Sequence, residues 1–159
     1  MPGLEIEAVS RHILETLPGV ERQIASKEDG APEIAWGDHF YFYDPDRVLE
    51  PTKKFPFATI VIKDYPGFDE ASNLDRPGVY RLNIGVSRAT FDRLFESRAS
   101  HDFTQLDHLM PHPVYAKNHW VSVLNPSQQT LDSVQPLLVE AQGIAKARYE
   151  RAGRKPSLR

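Results

Sequence analysis

The stretch Asp75-Arg76-Pro77-Gly78-Val79-Tyr80-Arg81-Leu82-Asn83-Ile84-Gly85-Val86 decides the fold. A Pro-Gly turn opens it, and Tyr80, Leu82, Ile84 and Val86 then alternate with Val79, Arg81, Asn83 and Gly85. That period of two belongs to a strand, and it predicts a strand buried on one face only.

Working back from it, Phe57 to Lys63 reads as a strand between the proline-bearing loop Pro51 to Pro56 and Tyr65-Pro66-Gly67. Glu33 to Tyr43 reads as another, with Ile34, Trp36, Phe40 and Phe42 in near-alternation, and Val20 to Ala25 as a third. Gly30-Ala31-Pro32 forms the turn between those two. Ahead of them Ile6, Val9, Ile13 and Leu17 recur at helical spacing, and Pro18-Gly19 ends an amphipathic helix near residues 4–17.

Working forward, Ser87 caps a short helix from Arg88 to about Phe95. Glu96 to Lys117 is polar and weakly patterned, and His119 to Leu124 reads as the last strand. Asn125-Pro126-Ser127 breaks it ahead of a long helix with Val134, Leu138, Ala141, Ala145 and Arg148 on one face, and Pro136 sits in or near its first turn or kinks it. The order α-β-β-β-β-α-β-α predicts a single α+β domain over residues 1–152. Its antiparallel sheet of about five strands is packed by N- and C-terminal helices, and residues 153–159 form a basic C-terminal tail.

The 159 residues include no cysteine, which excludes thiol nucleophiles, Cys-based zinc sites and iron-sulfur clusters and fits a reducing compartment. Neither a basic-then-apolar leader nor a run of about 20 apolar residues occurs, so a cytoplasmic protein without membrane contact is expected. Nineteen basic residues against 22 acidic ones give a net charge of -3, which does not favour nucleic acid as a partner. Lys146, Arg148, Arg151, Arg154, Lys155 and Arg159 are the one basic concentration, read as helix capping and solubility.

Trp36-Gly37-Asp38-His39-Phe40-Tyr41-Phe42-Tyr43-Asp44-Pro45, the strand from Arg76 to Val86, and Met110-Pro111-His112-Pro113-Val114-Tyr115 together resemble a bacterial family of uncharacterised domains over nearly the whole chain. More distantly, the His119-Trp120-Val121-Ser122-Val123 strand and the helix after it are similar to MmcQ/YjbR-like domains, a CyaY-like α+β fold. The resemblance implies an antiparallel sheet packed by terminal helices, with no established activity or catalytic residues. Relatives of the YjbR type are discussed as "double wing" DNA-binding proteins, to which the acidic balance here lends no support.

Four histidines, His101, His108, His112 and His119, share one window with Asp102 and Asp107, a composition a metal site uses. Their spacing argues against one, since there is no His-x-His or His-Glu-x-x-His and Pro111 separates His108 from His112. Asp38 and His39 offer a carboxylate beside an imidazole, but neighbours on a strand face opposite sides, and the pair reads as solvated groups on an edge strand. A tertiary pairing of His39 with His112 or Asp64 is the open alternative. No Gly-x-Ser-x-Gly elbow, Ser-x-x-Lys or phosphate loop occurs. Among the aromatics, Trp120 is expected in the core and Tyr115, beside a proline-rich loop, at the surface.

The expected function is therefore a small-molecule or protein binding module without cofactor, and a homodimer is an open alternative. Its candidate site is the Met110 to Tyr115 loop with His112 and Tyr115, joined by Asp38, His39 and Asn125. The alternatives are a metal-independent hydrolase or isomerase with His39 or His112 as base, and DNA binding through the basic C-terminal helix.

Overall fold

A computed structural model describes residues 3–96 and 100–154, so Lys155 and Arg159 of the basic tail lie outside the described residues. The elements run α1 (Ile6–Thr16), β1 (Val20–Ile24), β2 (His39–Tyr43), β3 (Ala58–Val61), β4 (Arg81–Gly85), α2 (Arg88–Leu94), β5 (Met110–Pro111), β6 (Trp120–Leu124) and α3 (Gln128–Arg151). The strands form a six-stranded antiparallel sheet in the order β1-β2-β3-β4-β6-β5. The α+β class and the terminal helices are as the sequence predicts. No described helix is long and apolar enough to cross a membrane.

Two of the three helices begin at a capping serine. Ser87 and Ser127 accept hydrogen bonds from the backbone N–H groups of Thr90 and Thr130, which satisfies donors that the first turn of a helix leaves free. In α1 the buried residues Val9 and Ile13 lie four apart, and Leu17, also buried, continues the stripe. In α3 Leu131, Val134, Leu138 and Ala141 repeat that spacing. Both stripes meet Tyr41, Ile60, Leu82, Ile84, Val121 and Val123 in one apolar cluster, so α1 and α3 cover the same face of the sheet. Fully burying each of Ile13, Ile60, Leu82 and Leu138 stabilises the fold by roughly 1.5–3 kcal/mol.

Four sequence expectations need correction. The stretch from Glu33 starts as a 3-10 turn over Glu33–Ala35, because Pro32 sets its entry and Gly37 bends away at φ 92°, so the strand begins at His39. The weakly patterned segment holds a strand after all: Met110 pairs with Ser122 and Pro111 with Val121, too short a run to show a period. Pro136 lies well inside α3, which removes the first-turn placement and leaves the other expected one, a kink, and it withholds an N–H from the Asp132 carbonyl. Finally, β4 is buried on both faces, with Arg81 wholly buried and Asn83 at 2% exposure.

The pairing explains that last point. Phe40 faces Thr59, Thr59 faces Asn83, Asn83 faces Ser122 and Ser122 faces Met110, a row across the sheet on the side away from the helices. Loops cover its Asn83, Ser122 and Met110 end, while Phe40 and Thr59 stay half-buried.

Candidate functional site

Two loop segments fold over the helix-free face. Residues 62–79 come down through a tight turn in which the Tyr65 N–H donates to the Asp69 carbonyl (2.9 Å) and the Asp69 N–H to the Tyr65 carbonyl (2.8 Å). Gly67 within it takes φ +76°, a conformation L side chains rarely adopt. Residues 112–119 approach from the other side, with the His112 N–H donating to the Trp120 carbonyl (3.0 Å) and His119 in the left-handed region at φ 68°, turning the chain into β6.

Between the two loops lies an open cleft of about 470 Å³. Phe40, Tyr65, Phe68, Tyr115 and Trp120 contribute aromatic walls, over a floor of Thr59, Arg81, Asn83 and His112. Phe68 and Tyr115 meet edge to face at the rim, 6.0 Å between centroids, and are 57% and 41% exposed. The Trp120 indole lies against Gly85, where a Cβ would come within 3.0 Å of the ring.

A guanidinium taken out of water costs several kcal/mol unless its N–H groups find acceptors. Arg81 Nε–H donates to Asn83 Oδ1 (2.7 Å), Nη1 to Asp69 Oδ1 and Ser72 Oγ (both 3.0 Å), and Nη2 to Asp69 Oδ2 (2.6 Å). The two-pronged Arg81–Asp69 contact fastens the 62–79 loop to the sheet. The same network fixes Asn83. Its Oδ1 receives both Arg81 Nε–H and the Ser122 hydroxyl (2.8 Å), so Nδ2 is the atom that donates to Thr59 Oγ1 (3.0 Å).

His112 is 4% exposed. Its Nδ1 accepts from the backbone N–H groups of Val114 (3.0 Å) and Tyr115 (2.9 Å), while Nε2 stands 3.2 Å from Arg81 Nη2. Burial, and then the Arg81 charge, push the imidazole pKa down to about 3, so the ring is neutral at pH 7. Asp38 lies behind the Tyr65 wall, where Oδ1 accepts from the Ile62 N–H (3.0 Å) and Oδ2 from the Tyr65 hydroxyl. Burial lifts its carboxyl above the usual range, against the opposing pull of those hydrogen bonds, and burial with the Asp38 contact raises the Tyr65 phenol.

Of the five residues expected to form the site, His112 and Tyr115 do meet, with ring centroids 4.9 Å apart, and Asp38 reaches the cleft through Tyr65. His39 and Asn125 belong elsewhere. Because β2 lies between β1 and β3, Asp38 and His39 are buried rather than solvated edge groups. His39 turns to the helix side, with Nδ1 3.1 Å from the Tyr41 hydroxyl, which donates to Ser10 Oγ of α1 (2.8 Å). It meets neither His112 nor Asp64. Asn125 ties a loop, accepting the Tyr80 N–H (3.0 Å) and donating to the Gly78 carbonyl (2.8 Å).

The histidine window does not converge either. His101 and His108 rings lie 6.4 Å apart, His119 packs on Phe91, and His112 belongs to the Arg81 network. Among the described residues no group of three or more His, Asp or Glu side chains is arranged to hold a metal. Trp120, expected in the core, is a half-buried cleft wall, because Gly85 opposite it leaves room for the ring on the helix-free face.

Sequence reasoning missed Arg81, Asn83, Asp69, Tyr65 and Trp120 as site residues. The available signal was Arg81 and Asn83 two apart on a strand that is otherwise apolar, a polar face that can be a cleft floor as well as a surface.

Fold and site define an α+β domain with one sheet face closed by helices and the other opened as an aromatic cleft. The chain belongs to a family of unknown function, DUF6194, whose model matches residues 4–154. No curated protein and no solved structure matches the chain.

Proposed function

We propose that the chain is a cofactor-free binding domain that takes a small, largely aromatic molecule in the cleft between residues 62–79 and 112–119. The observation that carries this is the cleft itself, with half-buried aromatic walls and an exposed Phe68–Tyr115 rim standing over a largely buried polar floor. Concave apolar surface with a few convergent polar groups is the usual form of a small-molecule site, and a cleft of about 470 Å³ is of the size such sites have.

A histidine-base hydrolase or isomerase is less well supported. Both ring nitrogens of His112 face N–H groups and its pKa of about 3 leaves it a weak base, while His39 is engaged with Tyr41 beneath α1. DNA binding through α3 has little behind it, since Arg148 lies over the Phe55 ring and Arg154 over Tyr149. The proposed binding domain spans residues 1–152 with a basic tail after it and is kin to bacterial MmcQ/YjbR-like domains, which the β6–α3 succession supports. It also keeps a cytoplasmic address, in keeping with a cysteine-free chain.

The test is saturation-transfer NMR with a mixture of neutral aromatic fragments, on the wild type and on a Phe68→Ala/Tyr115→Ala variant. Both residues are exposed, so folding should be kept within about 1 kcal/mol. Fragments that saturate on the wild type and fade on the variant are expected. Equal signals from both proteins, or none from the wild type, would contradict the proposal.

A further inference from the structure

Resting on the cleft as a ligand site, we infer that its occupant is an uncharged aromatic compound anchored by a carbonyl-type oxygen, because Arg81 and His112 aim N–H groups at each other across the cleft floor with no acceptor between them. A neutral imidazole has one N–H and one lone pair. The backbone N–H groups of Val114 and Tyr115 both arrive at Nδ1, at 3.0 and 2.9 Å, so the lone pair is there and the proton is on Nε2. The other tautomer would set an Nδ1–H against two donors. An imidazolium would do the same and add a charge beside Arg81.

Nε2–H therefore faces Arg81 Nη2, 3.2 Å away, and a guanidinium has no acceptor to offer. The remaining Arg81 N–H groups are engaged by Asn83, Ser72 and the Asp69 carboxylate. Both residues are at least nine-tenths buried and both line the cleft. Two N–H groups converging without an acceptor are satisfied by one oxygen that offers a lone pair to each, and because Arg81 is wholly buried and His112 is 4% exposed, such an oxygen enters from the cleft by parting the two side chains.

Charge decides which oxygen. Asp69 already compensates Arg81 from 2.6 and 3.0 Å, so a ligand carboxylate would bring a second negative group to one guanidinium. An amide, lactam or ketone oxygen accepts the same pair of protons without that repulsion. Asn83 Nδ2, which donates to Thr59 on the same floor, adds a further donor to the surroundings of that oxygen. The aromatic walls then select a flat apolar body.

The premise is tested first in the free wild-type protein, by the nitrogen shifts of the His112 imidazole. The Nε2–H tautomer is expected from pH 7 to about pH 5. An Nδ1–H tautomer would give Arg81 its acceptor and overturn the inference with the cleft untouched. The ligand class is tested by titrating with 2-naphthamide and, separately, 2-naphthoate, observed at the indole N–H signals. Trp120 reports the cleft, and Trp36, whose Nε1–H donates to the Ala31 carbonyl, is the internal control. The amide should bind about tenfold more tightly than the carboxylate or better, and His112→Phe should erase that preference. Equal affinities, or a tighter carboxylate, would overturn the inference and leave the cleft as a binding site. Neither probe moving Trp120 would overturn both.

Discussion

Arg81 is charged, central in the sheet and wholly buried, so its acceptors determine what it costs the fold. Asp69→Asn keeps the shape of the partner but leaves the guanidinium uncompensated, and should lower stability by roughly 3–5 kcal/mol in urea unfolding. Replacing both members, Arg81→Met with Asp69→Leu, removes the buried charge altogether and should cost less than Asp69→Asn alone. A double variant at least as unstable as the single one would show that charge compensation is not what the pair supplies.

His112 adds a pH dependence of known sign. Its pKa falls from an ordinary 6.5 to about 3 on folding, so between those values the unfolded chain holds a proton that the folded chain does not. Stability is therefore full above about pH 6.5 and declines as the pH falls toward 3, by at most about 1.4 kcal/mol per pH unit. Asp38, raised by burial, acts in the opposite direction in the carboxylate range and is common to wild type and variant. Between pH 7 and pH 5 the wild type should lose more unfolding free energy than His112→Phe, and equal losses would contradict the burial of a neutral ring.

At this scale the sequence was half legible. His112 and Tyr115 stand out because the one lies between two prolines and the other just after them in an irregular segment. Arg81 and Asn83 do not, because alternation along a strand separates two faces without saying what covers each.

The elements were more legible than the residues. Three helices and most strands follow from period and caps, since a serine before an apolar stripe carries its own mechanism. Glu33–Ala35 misleads because a 3-10 turn can alternate apolar and polar residues briefly, and Met110–Pro111 is strand only through its pairing with β6. Pro136 is a local conflict inside α3, and Pro136→Ala should restore the missing hydrogen bond and raise stability by about 1 kcal/mol or more in thermal unfolding. A loss would mean the helix is shaped around its proline. Gly85 serves the cleft through Trp120. Gly85→Ala should push the indole off β4, shift its N–H signal and cost about 1–3 kcal/mol, whereas an unchanged Trp120 signal would contradict the packing of that wall.

On the scale of the molecule, one sheet separates two environments. Its helix side is an apolar core that any sequence of this pattern would need, with α1 and α3 side by side and Gln135 Nε2 of α3 donating to Thr16 Oγ1 of α1 (3.1 Å). Its other side is covered by loops, of which residues 62–79 are fastened to the sheet by one buried ion pair and by the Tyr65–Asp38 hydrogen bond, and the cleft lies open beside them. The layered fold was legible because strand and helix periods sum to it. The cleft was not, because Asp69 and Ser72 meet Arg81 only through chain folding across a loop without period.

The central claim, that ligand enters on the helix-free face, is tested most directly by mapping backbone amide shifts of the 15N-labelled protein during titration with 2-naphthamide. The largest changes are expected at Tyr65 to Asp69, at Val114 and Tyr115 and at the Trp120 indole, with Val9, Ile13 and Leu138 on the helix side unmoved. Changes concentrated on α1, α3 or the Asn125 loop, or no change at any saturating concentration, would contradict it.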